Sequence, residues 1–197
     1  MMKQTAMTVD EHKARTARSY KLMLLFAMIS MTMLFAGLTS AFVVSKSRAD
    51  WLKNFELPSA FFISTAVIIT CSVTFHLAKK AIQKDNRGAT TLFLLSTLAL
   101  GILFVILQFV GFGQVVDAGY YFTGSESTIT TTFLYVIAIT HLAHLFGGLI
   151  SLLIIIYNHF KQKYNSTQTL GIELGAMYWH FLDLLWVYLF LFLFFFK

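Results

Sequence analysis

Residues 175–196 read GAMYWHFLDLLWVYLFLFLFFF, twenty-two positions with one charge, Asp183, and no proline. As an α-helix rising about 1.5 Å per residue, this stretch is long enough to cross a hydrocarbon layer of about 30 Å. Outward from it, four more stretches share its length and character: 22–44, 57–78, 90–112 and 133–157. Together the five hold 115 of the 197 residues, and an even scatter would give them 14 of the 24 charged side chains, yet they hold only Asp183. With 57% hydrophobic and 16% aromatic residues, the chain is not a water-soluble globule. The expected fold is all-α: a multi-pass transmembrane bundle of five helices, one membrane domain over 1–197, led by an N-terminal segment at 1–21.

The residues outside these stretches fall into six short segments, the longest having 21 and 20 residues, so no extramembrane domain fits in them. The single cysteine, Cys71, lies inside an apolar run, which leaves no disulfide framework, no CxxCH haem attachment and no thiolate cluster. A net charge of +6 does not indicate a nucleic-acid partner, because the basic residues flank helices instead of forming a patch. Eleven Lys and Arg lie before helix 1 and in the connections after helices 2 and 4, starting from Lys3; four, Lys46, Arg48, Lys53 and Lys197, lie on the other side. This asymmetry predicts a cytoplasmic N-terminus and an outside C-terminus. The first apolar run is too long for a signal peptide and Lys46 follows it, so it reads as an anchor.

Local punctuation agrees. Pro58 is expected in the first turn of helix 2, where a missing N–H costs nothing. Residues 79–88 read as a polar turn and 113–132 as a looser outer loop. The aromatic end of helix 5, Leu189 to Phe196, has no polar side and is expected to face lipid or a greasy partner surface. Gly147 and Ser151 put a small-residue stripe on helix 4.

Polar side chains at depth carry the information, since an Asp in hydrocarbon costs on the order of 3 kcal/mol. Helix 4 holds His141 and His144, and helix 5 holds His180 and Asp183; each pair is three apart and shares one helical face. Asp183 lies roughly 13 Å from one membrane face and His144 roughly 18 Å from the other, so within about 30 Å they are nearly level. The two polar faces are expected to look at each other, with His144 and His141 as partners of Asp183. An unpaired carboxylate there would take up a proton. Three roles stay open: a packing bond between helices, proton or lipid-headgroup handling, and metal or haem ligation. A haem-copper core needs more intramembrane histidines, and a dinuclear copper site needs two cysteines, so the chain is not the catalytic electron carrier. No repeat or paired broken helix suggests a secondary transporter.

The run from Glu173 through Tyr178, Trp179, His180, Phe181 and Asp183 to Trp186 resembles the last-helix signature of the cytochrome c oxidase subunit III family. His141 and His144 followed by Gly148, the Phe35-Ala36-Gly37 segment and Gln108 are similar to that family's motifs over about residues 20–197. The short five-helix form corresponds to members without two leading helices. The resemblance implies a non-catalytic core subunit of a bacterial haem-copper terminal oxidase in the inner membrane. Such a subunit has no cofactor or metal of its own, haem and copper residing in its partners. It would pack on subunit I beside subunit II, bind phospholipid, support proton uptake, and sit in some cases in a larger respiratory supercomplex. Enzymatic activity, O₂ reduction with proton translocation, belongs to the assembly. Three departures stand out: Met31 where the family has Glu, Gly111 where it has an acid, and Gln168 and Thr169 where it has basic residues. Two alternatives remain, a subunit III-like accessory protein of a nitric oxide reductase and a b-haem anchor using His141 or His144 with His180.

Overall fold

The computed structural model describes residues 9–48, 50–52, 57–124, 127–166 and 168–196. Lys3, Lys53 and Lys197, counted in the charge asymmetry, lie outside the described residues. Five helices carry nearly all the rest: α1 (Val9–Val44), α2 (Ser59–Gln83), α3 (Arg87–Asp117), α4 (Ile129–Phe160) and α5 (Leu170–Phe196). Each is long and apolar enough to span a membrane. Among the described residues the only β pairing is an isolated bridge between Asn165 and Gln168.

Hydrogen bonds among helices and their connections mark the two ends of the bundle. At one end Lys21 Nζ meets Glu173 Oε2 at 2.7 Å, Ser166 N donates to Asp85 Oδ1 at 2.8 Å, and Arg87 Nη2 donates to the Tyr164 carbonyl at 3.4 Å. At the other, Leu52 N donates to Thr130 Oγ1 at 3.1 Å and Ala60 N to Gln114 Oε1 at 3.3 Å. The first end carries the Lys- and Arg-rich segments.

Several helix limits differ from the sequence-based expectation. α1 begins by Val9 instead of near residue 22, so most of the expected N-terminal segment is helical. Hydropathy misses it because residues 11–21 are polar, but they contain neither Gly nor Pro. Extending a formed helix adds a hydrogen bond per residue without a new nucleus. Pro58 is not within the first turn of α2; it is the residue before it, with φ −55° and ψ 141°, and its carbonyl accepts from Phe61 N at 3.1 Å. The outer loop is shorter than 113–132, because α3 continues to Asp117 and α4 starts at Ile129. That start is set by a capping box in which Thr128 Oγ1 accepts from Thr131 N at 3.4 Å and Thr131 Oγ1 from Thr128 N at 3.3 Å. Asn86 caps α3 by accepting from Ala89 N at 3.1 Å. Before it, Asp85 closes the α2–α3 turn in the left-handed region at φ 53°, a conformation that Asp tolerates better than most side chains.

The core lies along α5. Trp179 and Trp186 are fully buried, with Phe75 edge-on to the first at 6.0 Å and Phe61 and Phe104 edge-on to the second at 6.0 and 5.3 Å. Aromatic pairs in this geometry add about 0.5–1.5 kcal/mol beyond their burial. α1 joins through Phe35 and Phe42, while its Met23, Phe26, Met33 and Val44 stay exposed, a surface suited to lipid or a partner helix. The aromatic end of α5 is divided: Phe192 packs on Phe42 at 5.4 Å and Phe190 on Phe62 at 5.0 Å, whereas Phe195 and Phe196 are exposed.

Candidate functional site

The signature residues of α5 point in different directions because successive side chains rotate by about 100° around a helix axis. Towards α4, Tyr178 Oη donates to the His144 carbonyl at 3.0 Å. Trp179 fits where two glycines leave room: a Cβ on Gly101 would stand 3.2 Å from its ring, and one on Gly148 3.4 Å from it. Towards α2, His180 Nδ1 and Ser72 Oγ share a hydrogen bond of 2.6 Å. Trp186 Nε1 donates to Thr65 Oγ1 at 3.1 Å, a buried bond between α5 and α2.

Asp183 also lies on the α2 side. It is 4% exposed, Ser72 of α2 lies beside it, and among the described residues neither carboxyl oxygen has a well-formed hydrogen bond. The expected pairing of Asp183 with His144 or His141 is therefore not made. His141, 1% exposed, keeps both ring nitrogens without a hydrogen bond among the described residues. Its ring packs against Trp186 at 5.1 Å, Phe104 at 6.2 Å and Phe35 at 6.4 Å. His144 turns its Nδ1–H back to the Thr140 carbonyl at 2.7 Å and its ring towards Phe35 at 5.7 Å. The polar seam is split in two, with α4 imidazoles facing aromatics of α1, α3 and α5 and the α5 pair facing α2. The expectation of similar depth carries no information about rotation around the helix axis, and it is the rotation that separates the two pairs.

The remaining sequence candidates separate further. Gln108 is buried and donates from Nε2 to Ser64 Oγ at 3.0 Å across α2 and α3. At Gly111 a Cβ would run into the Phe61 ring, so the family's acid has no space at this position. Glu173 sits at the basic end, paired with Lys21 and accepting from Thr169 Oγ1 at 2.7 Å. Met31 lines an apolar groove of about 880 Å³ between α1, α4 and α5, whose wall includes Gly147, Ser151 and Tyr178. Gly147 and Ser151 thus border a groove instead of a close helix contact. Near the basic end a second cavity of about 690 Å³, lined by Lys13, Lys21 and Lys163, shares Tyr164 and Gly171 with it.

Sequence reading missed Ser72, Thr65 and Ser64, whose hydroxyls serve α5 and α3, and it passed over His76, whose ring lies 6.1 Å from that of His180. The usable signal was the spacing Ser72, His76, Lys79, one stripe of polar residues on an otherwise apolar helix. Among the described residues no group of three or more His, Cys, Asp or Glu side chains could hold a metal ion. Among the described residues His180 bonds Ser72 of α2, whereas His141 and His144 pack on aromatic rings of α1, α3 and α5.

The profile of the family described as Cytochrome c oxidase subunit III matches residues 2–197. Proteins named Cytochrome c oxidase subunit 3 from Drosophila yakuba and Spodoptera frugiperda are each 31% identical over 137 residues, 70% of this chain, covering 49% and 87% of those proteins respectively. The Petromyzon marinus protein of the same name is 31% identical over 140 residues, 71% of this chain and 50% of its own length. The chain spans about half the length of the Drosophila and Petromyzon relatives.

Proposed function

Because the chain belongs to the cytochrome c oxidase subunit III family, we propose that it is a multi-pass, non-catalytic core subunit of a haem-copper terminal oxidase in a bacterial inner membrane. In this reading O₂ reduction and proton translocation belong to the complex, haem and copper to its other subunits, and this chain stabilises subunit I, binds phospholipid and supports proton uptake. The observation that carries it is the signature Glu173–Trp186. Within it Trp186, His180 and Tyr178 lock α5 to α2 and α4 through Thr65, Ser72 and the His144 carbonyl respectively. That is the arrangement of a scaffold.

The groove and its basic end support the phospholipid role. Lys13 and Lys163 supply positive charge to an anionic headgroup beside the Lys21–Glu173 pair, and the walls of the 880 Å³ groove suit acyl chains along Leu24, Ile150 and Ile154. Met31 makes that groove apolar where an acid would have put a charge.

The test is to purify the native complex and identify its chains, then measure subunit retention and the decay of oxygen consumption for Asp183→Asn and Asp183→Leu. A structural Asp183 predicts near-normal retention with Asn and loosening with Leu. A proton-handling Asp183 predicts normal retention with Asn and a shorter working life. Full retention and unchanged turnover in the Leu variant would remove Asp183 from the account, and a nitric oxide reductase as co-purifying partner would replace the oxidase.

A further inference from the structure

Polar residues on the seam between α2 and α5 form a graded series from the basic end inward. Lys80 and His76 are exposed, Lys79, Ser72 and His180 are half-buried, and Asp183 is buried. Ser72, His76 and Lys79 occupy one stripe of α2, four and three residues apart. His76 and His180 have ring centroids 6.1 Å apart, a gap that one water or a rotamer change closes. His180 Nδ1 and Ser72 Oγ are 2.6 Å apart, and Ser72 is also the hydroxyl set against Asp183. Asp183 is a buried carboxyl within a helix of membrane-spanning length and has no well-formed hydrogen bond among the described residues, a costly placement for a residue whose only task is packing.

We propose that this seam is a proton-exchange branch in which His76, His180 and Ser72 connect the basic end of the bundle with Asp183. A proton from water reaches His76 and passes to His180. His180 Nδ1–H then donates to Ser72 Oγ while the Ser72 hydroxyl hydrogen moves to an Asp183 oxygen. Serine ends with one hydrogen, as it began, and the carboxylate becomes a carboxylic acid; the reverse sequence returns the proton. Serine suits this position because a hydroxyl accepts and donates at once.

The other groups near Asp183 do not compete. Cys71 Sγ is committed to the Thr97 carbonyl at 3.3 Å, and His141 packs on Trp186 with no bond to the seam. Lys79 lies one turn from His76 towards the basic end of the same α2 stripe. The branch ends on Asp183, so it stores and returns a proton instead of conducting one across the membrane. The inference rests on the oxidase reading only for the purpose of that proton; the relay is a property of this chain.

The experiment is infrared spectroscopy of the full chain in lipid nanodiscs, following the carboxylic acid C=O band after transfer from H₂O to D₂O. Asp183→Asn identifies the band. The expected result is prompt exchange in the wild type and exchange slowed at least about tenfold, a barrier rise of about 1.4 kcal/mol, in both Ser72→Ala and His76→Leu. Ser72→Thr, which keeps the hydroxyl, restores the wild-type rate, and His144→Leu leaves it unchanged. Wild-type exchange in both Ser72→Ala and His76→Leu overturns the proposal, as does slowing by His144→Leu instead. A wild type without an Asp183 acid band at any pH also overturns it, because a carboxylate that never protonates cannot receive the proton. Subunit retention with the oxidase is read separately, so failure of the oxidase reading and failure of the relay are told apart.

Discussion

Two glycines on α3, Gly111 and Gly113, should respond in opposite senses to the same substitution. A Cβ at Gly113 meets nothing within 4 Å, whereas one at Gly111 strikes the Phe61 ring, with Cδ1 at 2.7 Å and Cζ at 3.2 Å. Phe61 cannot swing aside easily: it is fully buried and held edge-on by Phe112 at 6.1 Å and Trp186 at 6.0 Å. Replacing a helical Gly by Ala is worth about 0.5–1 kcal/mol in backbone entropy at either position. Overpacking in a filled core costs about 1–3 kcal/mol. Gly113→Ala should therefore stabilise by about 0.5–1 kcal/mol, and Gly111→Ala should fall below it by about 1–3 kcal/mol, since the entropy gain is common to both. Unfolding in mixed lipid and detergent micelles with increasing SDS, followed by helical circular dichroism, measures the difference. A second arm uses Phe61→Leu in the Gly111→Ala background, where the shorter side chain should give a favourable coupling of at least about 0.5 kcal/mol. Equal stabilisation by both alanines, or strict additivity with Phe61→Leu, would refute the reasoning that Phe61 occupies the place of the family's acid.

Further outcomes follow from other contacts. Tags in the 79–89 connection should be reachable only from the cytoplasmic side, by the Lys and Arg asymmetry; labelling from the outside would invert the topology. Thr65→Val should cost about 1–3 kcal/mol in the same unfolding assay because it strands the Trp186 Nε1–H in the core, while Thr65→Ser should be mild. Hydrogen bonds from Ser166 hold the Asp85 carboxyl below the usual aspartate range of about 3.9. For such a depressed group the tether is fully formed above the ordinary value and is lost as pH falls through the lower folded value. Amide protection at Ser166 should therefore be flat at neutral pH and drop only in acid, and Asp85→Asn should abolish that drop.

Five helices long and apolar enough to span a membrane were legible in the sequence, because crossing a membrane requires only a sum of hydropathy over about twenty residues, and a sum needs no knowledge of neighbours. The signature from Glu173 to Trp186 was legible for the same reason: it is local. The polar extension of α1 to Val9 was not, since its stabilisation comes from propagating an existing helix instead of from burial. Nor was the partner of each polar side chain. Residue counting sets Asp183 and His144 at similar expected depths, but a change of one residue in register turns a side chain by about 100°, and hydropathy carries no such angle. That angle was decided by packing. Gly101 and Gly148 open a slot for Trp179, the indole fixes the rotation of α5, and His180 and Trp186 are thereby directed to Ser72 and Thr65 on α2. Composition and local pattern determined what the chain is made to cross; only the tertiary structure decided which polar groups meet, because close-packed side chains permit one rotation and exclude the rest.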